Sequence, residues 1–292
     1  MRRAALYGAP QFGAEWQKCY SALSVALNQR FGKGRVWERS TKYYDPMDVA
    51  EEADVAIIMG LRGEGQKFLD HHLALGTPTL VLDLGWMRRE FNYWQVSPFG
   101  LNNVPKIKVP TDRFDQLSLK VFEPKQKDMR SIVVVGQLPG DTQHDLESEE
   151  QMLTWGKDTA LAATELTKKR VFWRPHPRWQ TALPRPIISS NSERSLHDLM
   201  KMEGLYAGVV YNSTMGIDLL RLGCNVVALG PRTVYTDIVH TELNGLLLDH
   251  PGSEIVHDML CKVAYGQYTT SELNNWETLE RLFELHQING DW

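Results

Sequence analysis

The chain has 292 residues, 42% of them hydrophobic and 23% charged, which fits one large or two ordinary globular domains. This composition excludes a disordered tail, a collagen-like repeat and a coiled coil as the main body. A formal charge of −4 argues against general electrostatic affinity for nucleic acid and leaves room only for a local basic groove.

In chain order, residues 4–7 read as a short strand, followed by a loop from Gly8 to Gly13. Trp16, Tyr20, Leu23, Leu27 and Phe31 recur at spacings of three and four, which predicts a helix over about 15–31, stopped by Gly32 and Gly34. The apolar run 55–59 predicts a buried parallel strand. A helix over about 66–75 and a strand over 79–83 follow. Strand alternating with helix is the pattern of a doubly wound α/β domain. Periodicity fades over 88–130, where prolines stand at 98, 105, 110 and 124 and nine Lys/Arg face five Asp/Glu. This stretch is expected to end the first domain and bridge to the second.

The alternation then restarts. Strands are predicted over 131–135, 171–173, 207–211 and 225–229, with a long helix over about 148–168. Ser195 caps a short helix through residue 199, residues 217–222 are helical, and 254–285 read as helices. Cys19, Cys224 and Cys261 are odd in number and far apart, so neither a disulfide framework nor a structural zinc site is expected. No apolar run approaches the ~20 residues that span a bilayer, and the N-terminus lacks a secretory stretch. The expectation is a soluble, cytoplasmic protein with no membrane partner.

Ligands of open α/β sheets sit beyond the carboxyl ends of the strands. In the second half those positions carry Gln137 and Asp141, then Arg174 and His176, then Asn212, Ser213 and Thr214, then Gly230. Hydroxyls at the start of a helix, an imidazole held between prolines and a permanent guanidinium charge describe a phosphate or diphosphate cradle. Each also has a plain structural reading: a helix cap for Ser213 and Thr214, an Asx turn for Asn212, a turn ring for His176. No GxxxxGK[ST] is present and no GxGxxG follows a strand, so the common nucleotide-binding loops are excluded. His71 and His72 are adjacent and point apart on a helix, and His144-Asp145 lacks a third partner, so no metal site is assigned.

The ordered set resembles the nucleotide-binding domain of GT-B glycosyltransferases, in particular the capsule-polysaccharide (Kdo-transferring) group. The matching stretches are Val134-Val135-Gly136-Gln137, Asp141, Trp173-Arg174-Pro175-His176-Pro177, Tyr211-Asn212-Ser213-Thr214-Met215-Gly216-Ile217-Asp218 and Val226-Val227-Ala228-Leu229-Gly230. They span about residues 131–231. Arg174 stands where Lys is common in that group. The resemblance implies that His176, Ser213 and Thr214 hold the donor phosphate, and that Gln137, Asp141, Arg174, Asn212, Gly216 and Asp218 complete the donor site. Gly13 in the first loop would let backbone approach the donor. It further implies two Rossmann-like domains facing a cleft: residues 1–110, a linker 111–130, and residues 131–292 with terminal helices that can cross back to brace the first domain. The donor is a nucleotide sugar, a UDP-sugar first, with no tightly bound cofactor and no essential metal. Residues 230–235 would read the donor base.

The first half must supply the acceptor site and a base. Asp83, at the end of a strand and before Gly85-Trp86, is the first candidate base, Glu90 the second and Glu15 the third. Arg88, Arg89, Tyr93 and Trp94 mix cations with rings, suited to phosphates and an unpaired base, to sugar rings, or to plain packing. That run resembles, more loosely, segments of phage-encoded glycosyltransferases that modify hydroxymethylated pyrimidines in phage DNA. The expected acceptor is therefore such a pyrimidine, in a host cytoplasm. A capsule or surface-glycan transferase is the alternative, and a non-catalytic nucleotide- or sugar-binding protein is a third reading.

Overall fold

The structure is a computed structural model. It describes residues 2–8, 13–50, 52–61, 63–88, 90, 92–125, 130–141, 143–190 and 195–288. In chain order the first elements are β1 (Ala4–Gly8), α1 (Ala14–Phe31), β2 (Val36–Ser40), β3 (Val55–Met59), α2 (Gly65–Ala74), β4 (Thr79–Leu84), β5 (Tyr93–Pro98) and α3 (Asp112–Gln116). They are followed by β6 (Ser131–Val135), α4 (Glu149–Thr167), β7 (Arg170–Arg174), β8 (Ile188–Ser189), α5 (Leu196–Glu203), β9 (Leu205–Val210), α6 (Met215–Arg221) and β10 (Asn225–Ala228). The last are α7 (Ser253–Tyr265), β11 (Gln267–Thr269) and α8 (Trp276–Leu285).

The chain divides into two compact units, Met1–Leu117 with Cys261–Trp292, and Ser118–Leu260. The terminal segment therefore groups with the first sheet, where the expected boundary kept all of 131–292 together. The first sheet has the order β11-β5-β4-β3-β1-β2. Its β1 to β4 are parallel, while β5 and β11 are antiparallel additions at one edge. Strands β1, β3 and most of β4 are buried, as their apolar runs require. One face packs Leu6, Ile57, Leu80 and Trp94 under α1 and α8, through Leu23, Leu27, Leu279 and Phe283. The other packs Tyr7, Ile58 and Val81 under Phe68 and Leu69 of α2.

Arg113 of α3 explains why the chain end returns. Its guanidinium donates to the carbonyls of Ala264 (3.1 Å) and Gln267 (2.8 Å), pairs with Glu272 at 2.7 Å, and stacks on Tyr268 at 4.2 Å. A guanidinium offers enough donors in fixed directions to hold all of these at once. The stretch expected as a linker thus supplies the clamp.

The second sheet has the order β10-β9-β6-β7-β8 and is parallel throughout. Helix α4 begins with a capping box: the Ser148 hydroxyl accepts from Gln151 N, and the Gln151 side chain accepts from Ser148 N. Ser195 caps α5 by accepting from Asp198 N at 3.1 Å. Trp173 fills the core beneath α4 and is fully buried. Its ring takes the space of a side chain at Gly136, where a Cβ would come within 2.5 Å of it.

Candidate functional site

Parallel pairing aligns the carboxyl ends of the second sheet. Val135 of β6 stands in register with Arg174 of β7 and Val210 of β9, and Val210 with Ala228 of β10. The loops after these strands leave from one level. β7 and β9 flank β6, so their ends lie two strand spacings apart, roughly 10 Å.

After β7, Arg174 is buried and its guanidinium is pulled below its ordinary range by desolvation. His176 is half-buried in a tight turn, where its carbonyl accepts from Trp179 N at 2.8 Å. Its Nδ1 accepts from Arg178 N at 3.1 Å. A neutral ring that accepts at Nδ1 carries its proton on Nε2.

After β9, Ser213 and Thr214 are partly exposed. Ser213 Oγ accepts from Met215 N at 3.3 Å. Thr214 sits at the cap of α6 yet makes no side-chain capping bond, so its hydroxyl is not spent on the helix. The Ser213 carbonyl is held by the Tyr235 hydroxyl at 2.5 Å. Tyr235 is buried, and its ring lies 2.4 Å from where a Cβ on Gly216 would be. Gly216 therefore makes room for Tyr235. Tyr235, within the stretch 230–235, supports the loop that carries the two hydroxyls.

Gln137 and Asn212, both candidates for the donor site, form a clasp. Gln137 Nε2 donates to Asn212 Oδ1 at 2.7 Å, and Asn212 N donates to Gln137 Oε1 at 2.9 Å. Asn212 Nδ2 donates to the Gln143 carbonyl. Their amides bind one another because the two loops would otherwise bury unsatisfied polar groups. Asp141 Oδ1 accepts from Gln143 N at 3.3 Å, shaping the same loop. Asp218 is exposed on α6 and pairs with Arg221 at 3.3 Å.

Tyr211 donates to the exposed Asp145 carboxylate at 2.5 Å. Its ring packs edge-on against Trp155 (5.3 Å) and His144 (6.0 Å). Burial, with Asp145 beside it, pushes the phenol up to about 12, and the phenol in turn lowers the Asp145 carboxyl. The Tyr211 and Asp145 partnership leaves no sequence signal, because the two residues stand 66 positions apart.

The first-unit candidates fare differently. Trp94 is 1% exposed in β5; its Nε1 donates to Thr270 Oγ1 at 2.9 Å and its ring meets Trp16 edge-on at 4.9 Å. It is core, and it offers no face to a base or sugar. Tyr93 opens the same strand, paired with Thr269 of β11. Arg88 has a positive φ of 51° and donates from Nε to the Leu117 carbonyl at 2.9 Å. It also pairs with exposed Glu90 at 3.2 Å. Arg89 lies outside the described residues, as do residues 9–12 of the first loop. Gly13 caps α1 at φ 120°, a value that favours glycine, with open space where a Cβ would be. Glu15 is taken by Lys18 (2.7 Å) and Asn92 (3.3 Å). Asp83 lies within β4, opposite Gln95, half-buried, and accepts from Leu84 N at 2.7 Å.

Among the described residues, no group of three or more His, Cys, Asp or Glu could hold a metal ion, and no helix is long and apolar enough to cross a membrane. No protein-family model matches the chain, and no curated protein matches it in sequence. Solved structures do match. KpsC of Thermosulfurimonas dismutans, a beta Kdo 2,4 transferase, aligns with a TM-score of 0.52 and 16% identity over 84% of this chain and 89% of that one. The beta Kdo 2,7 transferase of KpsC from the same organism aligns with a TM-score of 0.52 and 13% identity over 98% of this chain and 99% of that one. The chain therefore has the mixed α/β, two-unit Rossmann-like fold of the GT-B type.

Proposed function

We propose that the protein is a nucleotide-sugar-dependent glycosyltransferase that moves a sugar to an acceptor hydroxyl. The observation that carries this reading is the aligned rim of the second sheet, with a donating imidazole at His176 and the partly exposed hydroxyls of Ser213 and Thr214. In the proposed site, His176 Nε2 and the two hydroxyls donate to oxygens of the donor's phosphate as negative charge grows on the leaving nucleotide. Arg174 adds a fixed positive charge behind them. Gln137, Asn212, Tyr235 and Gly216 hold the rim in place. Asp83 is the proposed base for an inverting reaction and Glu90 the second choice; a retaining reaction needs neither.

The proposed acceptor is a saccharide hydroxyl. A hydroxymethylated pyrimidine in DNA needs a stacking ring, and Trp94 is spent in the core. The net charge of −4 also disfavours a polyanion. Likeness in fold to transferases named for Kdo supports the same choice.

The test is a thermal-shift panel of UDP-, GDP- and CMP-sugars. The matching donor, near 100 times its Kd, raises Tm by about 5 °C. His176→Ala keeps its basal Tm and loses that shift. An unchanged shift in the variant removes His176 from the site. Turnover on oligosaccharides but not on modified DNA separates the two acceptors.

A further inference from the structure

The cover over one face of the first sheet changes character at its edge. α2 covers β1, β3 and β4 through Phe68 and Leu69. In-register pairing sets Trp37 opposite Ala5 and Arg39 opposite Tyr7, so these side chains of edge strand β2 stand on that same face. A single 3-10 turn, Pro46–Asp48, with the residues on either side of it continues the cover here. Asp45 Oδ1 accepts from Met47 N at 2.9 Å, Val49 is buried, and Ala50 N donates to the Tyr7 hydroxyl at 3.1 Å. The segment is thus shaped by its own cap and tied to β1 at its Ala50 end.

A cavity of about 570 Å³ remains beside it, lined on its apolar side by Ala4, Val36, Trp37, Val49 and Ala50. That volume lies within the range of small-molecule pockets. Ala4 and Val36 open their strands, so the cavity lies at the amino ends of β1 and β2. Its charged lining is Arg3, Arg35 and Glu52. Glu52 is paired with Arg3 at 2.8 Å, which leaves Arg35 as the cation with no partner among the described residues. Trp37 stays 38% exposed, with Arg39 stacked 4.2 Å from its ring centre.

We propose that this cavity binds a small organic anion with an apolar body, a carboxylate, sulfonate or monophosphate on an aryl or short alkyl group. The acid group pairs with the Arg35 guanidinium, which suits planar oxyanions. The body lies against Trp37, Val49 and Ala50. The unpaired positive charge selects an anion over a cation of the same shape.

Isothermal titration of the full chain with 1-naphthalenesulfonate, and with 1-naphthylmethylammonium as the cation of similar shape, tests this. One anion per chain is expected, with no measurable binding of the cation. Arg35→Glu, a change at an exposed side chain, weakens the anion at least tenfold. Ala50→Trp fills the cavity and abolishes binding, while His176→Ala binds as the unaltered chain does. Equal binding of the cation overturns the proposal, as does undiminished anion binding in Arg35→Glu. Absence of anion binding to the unaltered chain overturns it too, and leaves the glycosyltransferase reading untouched.

Discussion

The two sheets treat the residues that follow their strands in different ways. In the second sheet every strand is parallel, so each carboxyl end opens into a loop and the loop side chains gather on one rim. In the first, β4 is followed after residues 85–92 by antiparallel β5, which then pairs with β11. Asp83, a strand-end residue in the sequence, pairs there with Gln95, and Trp94, in a stretch without periodicity, becomes a paired strand residue. A parallel edge presents chemistry; a hairpin at the same place consumes it.

The contrast breaks first at Trp94. Trp94→Ala is expected to cost about 3–5 kcal/mol in urea unfolding, as for a large core ring. A loss under 1 kcal/mol would return Trp94 to the list of ligand contacts. Next is acid. Burial, with His71 nearby, lowers the His72 imidazole from 6.5 to about 4. Between those values the unfolded chain binds a proton that the native chain does not. The stabilisation is complete above pH 6.5 and is lost as pH falls towards 4, on the order of 3 kcal/mol. Comparing urea midpoints at pH 7 and 4.5 should show this loss together with that of His286, which burial also lowers to about 4, and His72→Gln should remove the His72 share.

Gly216→Ala comes third. A methyl group set against the Tyr235 ring is expected to cost about 1–3 kcal/mol. It should also weaken donor binding, because Tyr235 holds the Ser213 carbonyl. Calorimetry of the variant, with and without donor, separates the two effects. Smallest in stability is Thr214→Val, within about 0.5 kcal/mol, since the hydroxyl caps nothing. Its donor-induced shift should nevertheless fall, and a full shift would make Thr214 a bystander.

Local signals account for what the sequence disclosed. Apolar runs such as 55–59 and 131–135 mark buried parallel strands on their own, and Ser148 with Gln151 marks the start of α4. The order of His176, Ser213 and Thr214 along the chain was enough to place them at strand ends. Strands β2, β5, β8 and β11 carry no clear local signal because their partners are remote and their own patterns weak. Val36–Ser40 is mostly exposed at an edge, and Gln267–Thr269 is three residues long. The clasp of Gln137 with Asn212 was hidden for the same reason: it joins residues 75 positions apart. A polar residue at a strand end looks alike whether it waits for a ligand or for another loop.

The clamp at Arg113 has a consequence for biosynthesis. The first core needs Leu279, Leu282 and Phe283, so it cannot close while those codons are still untranslated. The stretch 118–260 is complete earlier and is free to fold as the ribosome moves on. A chain released near residue 260 would hold a complete second sheet and an unfinished first one. Premature termination there would strand Trp94 and its neighbours without their lid, a surface that chaperones and proteases recognise.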